Sequence, residues 1–358
     1  MPPLFWYASS RSPDIVGAGM LSLDINICVD TPDIPEFRAG GSCGNVLLIL
    51  SWLGWHAYPV AHLADDRFSG ILMRDLLRWD VDPACIRRDR DGRTPLIGVR
   101  SGTGPHGNPT HRFFWKCPSC RGNFPAFCPL KPGEVREVIA KGIRPEVFYF
   151  DRISRSSLAL AKWYREEGAT IVFEPQWVRS GELFKRCIGV ADILKASREM
   201  TKGMIEKVGS EVPLAIETLG PEGVRYRLCR DFEGDGDWHS IPAFPVTGIL
   251  DTVGAGDWSS AGIIHYLESH RGLPVQDAPV DVVRDAIRFG QALSALNCKF
   301  YGARGAMDAL SRTSAASCLA QICRHGDCTV PEKAAKRKPA GWKLPVLCPN
   351  CPKSGKKI

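Results

Sequence analysis

The run Asp251-Thr-Val-Gly-Ala-Gly-Asp257 opens directly onto the apolar stretch Trp258-Ser-Ser-Ala-Gly-Ile-Ile-His-Tyr-Leu267. A small-residue turn at the mouth of a helix aims several backbone N–H groups at one point. The helix dipole adds partial positive charge there, so the turn is an anion site. Glycine lets a phosphate come close to the backbone. A carboxylate at the same mouth can take a proton from a hydroxyl attacking that phosphate. The expected chemistry is phosphoryl transfer, with Asp257 as general base and Gly254, Ala255 and Gly256 as the cradle for developing charge. The competing structural reading makes Asp257 an N-cap and the glycines a tight turn.

Cysteine is the second chemical signal: the chain has 14. Cys117-Pro-Ser-Cys120 and Cys348-Pro-Asn-Cys351 have the form of zinc-knuckle turns, in which two thiolates reach one metal while backbone N–H groups face the sulfurs. Cys323 and Cys328 form a further pair. Three groupings are open. Cys323, Cys328, Cys348 and Cys351 can make one four-Cys site, with His325 as a substitute ligand. Cys117, Cys120, Cys128 and His111 can make a second, local one. Alternatively the two knuckles share one zinc and pin the tail across the segment near residue 117. The N-terminus has no basic stretch followed by an apolar one, so a secretory signal is not expected and the expected location is cytoplasmic. Reduced thiols and a metal are then favoured over disulfides. Four protein ligands leave zinc no open position, so its role would be structural. Isolated Cys187, Cys229 and Cys298, in apolar runs, read as small core residues.

The elements that must position these groups follow from periodicity. Ile15 to Gly19, the alternating segment Leu23 to Val29, and Tyr58 to Leu63 read as strands. Asn45 stands before the apolar run Val46 to Leu53 as an N-cap, which favours a helix there. Phe68 to Trp79 reads as an amphipathic helix, and residues 94–115 as a hairpin around a Gly/Pro-rich tip. From residue 132 onward helical stretches alternate with the strand candidates Val147–Phe150, Thr170–Phe173, Ile193–Lys195 and Leu214–Thr218. That alternation predicts an α/β protein with a mostly parallel sheet. After about residue 311 Cys, Lys and Pro dominate without clear periodicity.

The length of 358 residues suits two domains, or one large α/β unit with additions. A hydrophobic fraction of 44% with 24% charged residues excludes disordered and fibrous classes. No apolar run is long enough to span a membrane. The net charge of +7 resides in residues 331–358, where Lys333, Lys336, Arg337, Lys338, Lys343, Lys353, Lys356 and Lys357 face only Glu332. The body is balanced, so any affinity for nucleic acid would belong to this tail; a solvated tail that aids solubility is the plainer reading.

Several motifs, in order, resemble the ribokinase-like (PfkB) carbohydrate kinase family over roughly residues 14–310. The string DTVGAGD followed by a small-residue helix is similar to its C-terminal signature. Gly40-Gly41, then Asn45 and an apolar helix, resembles the N-terminal one. Ala64-Asp-Asp-Arg-Phe-Ser-Gly70, Glu217-Thr-Leu-Gly-Pro-Glu-Gly223 and Tyr301-Gly-Ala303 resemble further segments.

The resemblance implies a central, mostly parallel sheet flanked by helices. It also implies a small β lid from about 24–38 and 93–116, with the Cys-rich 117–128 as an insertion and 311–358 as a Cys-rich basic extension beyond a 1–310 kinase domain. It implies an ATP-dependent kinase acting on a hydroxymethyl group of a sugar or sugar acid, or on a nucleoside through an aromatic lid face at Phe113, Phe114 and Trp115. Asp24, Gly40, Gly41 and Asn45 would bind substrate. ATP would lie over residues 254–256, along Thr218, Gly220, Gly223, Asp251 and Thr252, with Mg²⁺ on its phosphates. A monovalent cation and a homodimer through the lid are common in the family.

Three positions depart from the pattern. In Lys195-Ala-Ser-Arg-Glu-Met200 the family's Mg²⁺-organising Glu would fall at Met200, with Glu199 one residue away. Phe173-Glu-Pro-Gln176 is longer by a methylene at both polar places. Asp151-Arg152 replaces a small element and reads as a substrate contact or an internal ion pair. A different class of reading makes the chain a kinase-fold binding module that acts through its zinc-knuckle basic tail.

Overall fold

Strands that are apolar on both faces belong in a sheet covered on both sides. All four residues of Val147–Phe150 are buried, as are the last three of Thr170–Phe173. A computed structural model of the chain places them at the centre of such a sheet. It describes residues 12–28, 31–103, 109–176, 181–201, 205, 211–229, 238–270, 274–332 and 346–351. The eight basic residues of the tail lie outside the described residues.

The strands are β1 (Asp14–Ala18), β2 (Ser22–Cys28), β3 (Thr31–Gly40), β4 (His56–Ala64), β5 (Ile86–Asp89), β6 (Leu96–Thr103) and β7 (Pro109–Phe114). They continue as β8 (Val147–Phe150), β9 (Thr170–Phe173), β10 (Ile193–Ser197), β11 (Leu214–Thr218), β12 (Val224–Leu228) and β13 (His239–Ile241). The main helices are α1 (Ser42–Trp52), α2 (Arg67–Arg78), α3 (Pro132–Ile139), α4 (Arg155–Glu166) and α5 (Glu182–Ile188). After β13 come α6 (Ala255–Ser269), α7 (Val280–Cys298), α8 (Gly305–Ala309) and α9 (Arg312–His325).

Among the described residues the large sheet runs β13-β12-β11-β10-β9-β8-β1-β4-β5. Its neighbours are parallel except at β11–β12 and β12–β13. Crossover helices bury one cluster on each face. One cluster gathers α1, α6, α7 and α9 side chains around Trp258. The other gathers α4 and α5 around stacked Phe148, Phe150 and Phe173. Helices α6 and α7 pass so closely that a Cβ on Gly262 would lie 2.7 Å from the Gly290 Cα. The second sheet, β3-β2-β6-β7, is formed by the segments expected to build a lid. Its strands β2 and β3 follow β1 and lead into α1, and β6 and β7 join it after β5.

Three local expectations change. Helix α1 begins at Ser42 with Gly41 as N-cap at φ 79°. Asn45 therefore sits inside the first turn, and its side chain is free for another partner. A Cβ on Gly41 would fall 2.4 Å from the Met20 carbonyl oxygen, so only glycine fits that cap. Residues 312–325 form α9 instead of irregular chain: Ser311 caps it through the Ser314 N–H, and Ala315, Cys318, Leu319 and Ile322 pack onto the core. Cys187 and Cys298 are buried as expected, whereas Cys229, at the end of β12, is exposed.

Candidate functional site

The DTVGAGD turn is held open by its own carboxylate. Asp251 is buried and accepts the Val253 N–H at 3.0 Å and the Gly302 N–H at 3.0 Å. Asn297 donates to Gly302 O at 3.2 Å and accepts the Ala306 N–H at 3.1 Å. The Trp258 indole N–H reaches Ala303 O at 2.8 Å. Gly254 is the left-handed N-cap of α6, at φ 79°, and a Cβ there would lie 2.7 Å from Ala303 O. By contrast, a Cβ on Gly256 would meet open space. The first turn of a 15-residue helix is therefore open at Gly256, and the N–H groups of such a turn attract anions.

Asp257 is the third residue of α6, and the cap position belongs to Gly254, so Asp257 is not an N-cap. Its Oδ2 accepts a hydrogen bond from Asn45 Nδ2 at 2.8 Å. Burial, reinforced by the nearby Glu174 charge, raises its carboxyl well above the ordinary value; Asn45 and Lys195 oppose that rise. The Oδ1 atom of Asn45 is buried without a partner.

Lys195 and Glu174 were not singled out for roles from the sequence. The signal was a lone lysine in the apolar strand β10. Its ammonium group lies 2.7 Å from Glu174 Oε1 and 3.2 Å from Gly256 O. Glu174 also accepts the Tyr149 hydroxyl at 3.1 Å and the Ser260 hydroxyl. A buried ion pair thus grips the carbonyl of the glycine at the cradle.

Asp24, expected to contact substrate, lies on β2 and accepts the Ser22 hydroxyl at 2.7 Å. A Cβ on Gly40, at the end of the neighbouring strand, would fall 2.0 Å from its carboxylate. Burial pushes the Asp24 carboxyl up to about 6, against the lowering pull of the Ser22 hydroxyl, the Arg304 charge and the Gly41 N–H. Beneath it, Arg304 bonds both Ala39 O at 2.7 Å and Asp75 Oδ2 at 2.8 Å. The Ala39 N–H donates to the same Asp75 oxygen at 2.8 Å. Arg38 pairs with Asp308 at 2.7 Å. These ion pairs join residues far apart in sequence and had no sequence signal. They fasten strand β3 to α2, to Arg304 at the cap of α8 and to Asp308 within α8.

Asp151 proves to be an internal group. Its Oδ1 accepts the Met20 N–H at 2.8 Å and its Oδ2 the Cys43 N–H at 3.1 Å and the Ser42 hydroxyl. Arg152 lies 3.3 Å from the same Oδ2. Glu199 and Thr252 are exposed, and Thr218 is half-buried at the end of β11. Glu199 lies in the helical turn Arg198–Thr201 after β10. Gly220, at φ 60°, faces open space, whereas Gly223, at φ 110°, packs onto Ile241 O, where a Cβ would come within 2.2 Å.

The cysteine groupings resolve differently from two of the three expectations. Cys117, Cys120, Cys348 and Cys351 come together, their sulfurs all within 4.8 Å of one another. Cys323 and Cys328 are not part of this group. Gly326 ends α9 in a left-handed turn. Asp327 is then tied to Thr247 and Lys299, which turns the Cys328 thiol toward Cys318. Cys128 is exposed and directed to the Pro129 carbonyl. His111 packs edge-on against Phe113. The local site at 117–128 and the single site at 323–351 are therefore not formed.

Comparison with known proteins places this geometry in context. Residues 150–310 match the pfkB family carbohydrate kinase profile. The chain is 26% identical over 328 residues to a protein named probable fructokinase-6, chloroplastic, of Arabidopsis thaliana, covering 83% of this chain and 80% of that one. It superposes on a fructokinase with bound ATP from Xylella fastidiosa with a TM-score of 0.67 at 18% identity, over 87% of this chain and 98% of that one. A ribokinase from Giardia lamblia gives the same TM-score, 0.67, at 18% identity, over 87% of this chain and all of that one. The two structural likenesses speak to the fold. No helix among the described residues is long and apolar enough to cross a membrane.

Proposed function

We propose that this chain, which belongs to the pfkB carbohydrate kinases of ribokinase fold, transfers the γ-phosphoryl group of ATP to a hydroxymethyl group of a sugar or sugar acid. The observation that carries the reading is the Asn45–Asp257 hydrogen bond of 2.8 Å at the mouth of the glycine turn. It presents a carboxylate with a raised pKa beside an open helix N-terminus. A base poised nearer neutrality than an ordinary carboxylate suits proton removal from an alcohol.

In this reading Asp24 accepts substrate hydroxyls, and Asn45 serves both sides. Its amide N–H orients Asp257, and its unpartnered Oδ1 is an acceptor for a sugar hydroxyl. Asp257 takes the proton of the attacking hydroxyl. The 254–256 backbone receives the charge that develops on the phosphoryl oxygens. Lys195, paired with Glu174, fixes the Gly256 carbonyl at the cradle. The nucleotide lies toward Thr218 and Gly220, and the open space at Gly220 leaves room for a bound group. Mg²⁺ binds hard oxygen ligands and usually only one or two carboxylates beside phosphates. Exposed Glu199 is the carboxylate that would join it, and the ion would neutralise phosphate charge. Glu174 is already committed to Lys195.

A nucleoside as acceptor is the second reading. It is favoured by Phe113 and Trp115, both exposed on the lid at 46% and 59%, where a base can stack. ADP release from Mg²⁺-ATP across sugars, sugar acids and nucleosides, for wild type and Asp257→Asn, tests both readings. Release with one class, lost in the variant, supports the kinase and selects the acceptor. Undiminished release in the variant would refute the role of Asp257.

A further inference from the structure

We propose that Cys117, Cys120, Cys348 and Cys351 hold one structural Zn²⁺ that clamps the C-terminal segment to the root of the lid. The Cys117–Cys351 sulfurs are 3.5 Å apart, Cys120–Cys348 3.4 Å and Cys348–Cys351 3.6 Å. A tetrahedral site with Zn–S bonds of about 2.3 Å has sulfur–sulfur edges of roughly 3.8 Å. A disulfide needs about 2.05 Å. The four sulfurs thus have the spacing of a four-thiolate cage.

The backbone supports the same assignment. Cys117 N–H donates to Gly122 O at 2.8 Å and Arg121 N–H to Cys117 O at 2.8 Å, which closes a tight turn. Arg121 takes the left-handed conformation at φ 60° just after the second cysteine. The N–H groups of Ser119 and Cys120 face the Cys117 sulfur, and that of Asn350 faces Cys348. On binding, the four thiols release their protons to solvent, and the N–H groups stabilise the net negative cluster. Cys117, Cys348 and Cys351 are buried. Four soft sulfur ligands with no open position match zinc and not Mg²⁺ or Ca²⁺.

The clamp sits at a mechanically useful place. Phe124 N–H bonds Trp115 O at 2.9 Å, Leu96 N–H bonds Pro125 O at 3.0 Å, and Leu23 N–H bonds Pro95 O at 2.9 Å. The knuckle at 117–122 is therefore two short steps from Asp24. Leu347 joins the same core as Leu96 and Phe124. Zinc would tether residues 346–351 to the strands that carry the proposed sugar contact. The inference does not depend on which acceptor the site takes.

The test uses the full chain purified under reducing conditions. Metal content and native mass should show one zinc per chain. Replacement by Co²⁺ should give the intense visible bands and sulfur-to-cobalt charge transfer of a tetrahedral four-thiolate site. Cys117→Ser or Cys348→Ser should lose that spectrum, whereas Cys128→Ser and Cys323→Ser should keep it. If the first pair does not fold, the wild type still decides. Its four protected thiols should become reactive only after chelation. Zinc-free protein with four reactive thiols, a Cys117–Cys351 or Cys120–Cys348 disulfide, or an unchanged cobalt spectrum in Cys348→Ser would each overturn the proposal.

Discussion

Asn45 on α1 and Asp257 on α6 are 212 positions apart and are joined by one hydrogen bond of 2.8 Å. It links the glycine-marked start of α1 to the glycine turn at the start of α6 and engages one oxygen of Asp257. Oδ2 is held by the amide, and in the proposed reaction Oδ1 would take the proton of the incoming hydroxyl. Asp257→Asn should lower kcat by roughly 10²–10⁴, the usual range for a general base. Asn45→Ala should lower kcat less and also raise the acceptor KM, since both ends of its amide are used. Steady-state kinetics on the acceptor chosen by the substrate panel would check this split; a purely structural Asn45 would change melting temperature and leave the kinetics alone.

Asp24 makes a pH prediction whose sign can be worked out. Its folded pKa is about 6, raised from the ordinary 3.8 by burial. Between those values the folded chain holds a proton that the unfolded chain has lost. The contribution of Asp24 to stability is therefore present at low pH and declines as pH rises through about 6. Acceptor binding should move the other way, because the ionised carboxylate accepts hydroxyl protons. The acceptor KM should fall as pH rises through about 6 and then level off. In Asp24→Asn the KM should be higher and independent of pH across that window. An unaltered KM profile in this variant would remove Asp24 from the substrate site.

Lys195→Met would leave Glu174 buried and without its cation. Breaking such a pair costs on the order of 3–5 kcal/mol, which denaturant unfolding would measure. The variant should also carry a kinetic signature. Lys195 now lowers the Asp257 pKa, so its removal should shift the acid limb of the kcat profile to higher pH. A loss of stability with the limb in place would restrict Lys195 to packing.

Arg304 and Asp75, both almost fully buried, lie 2.8 Å apart beneath the lid strand β3. Although burial pushes the Asp75 carboxyl up, the Arg304 charge and hydrogen bond, with Arg38 and the Ala39 N–H, hold it below its ordinary value. The stability it contributes is present above the unfolded value of 3.8 and is lost as pH falls through the lower folded one. Arg304→Met should cost on the order of 3–5 kcal/mol and remove that acid dependence, as thermal melts between pH 3 and 7 would record.

Removing the proposed zinc should loosen the lid root and spare the phosphate turn. Chelation should raise the acceptor KM while leaving the KM for ATP nearly constant. Kinetics before and after chelation and zinc return would read this, and an equal rise in both constants would detach the clamp from the lid.

The local elements were legible in the chain because contiguous residues carry them. The turn Asp251–Asp257, the alternating strands and helices, and the lid hairpin needed only spacing, small residues and periodicity to be read. Two local readings failed for local reasons: Gly41, with its left-handed φ, caps α1 in place of Asn45, and α9 escaped notice among Cys-rich residues. What no pattern along the chain specifies is which distant groups meet. Lys195 and Gly256, Asp75 and Arg304, and the knuckle pair 117/120 with 348/351 are brought together by a parallel sheet that sets strands and helix mouths side by side regardless of sequence separation. Sequence determined the chemistry available at each position. The tertiary structure decided its partners, because burial makes an unpaired charge costly and so favours the packing in which opposite charges meet.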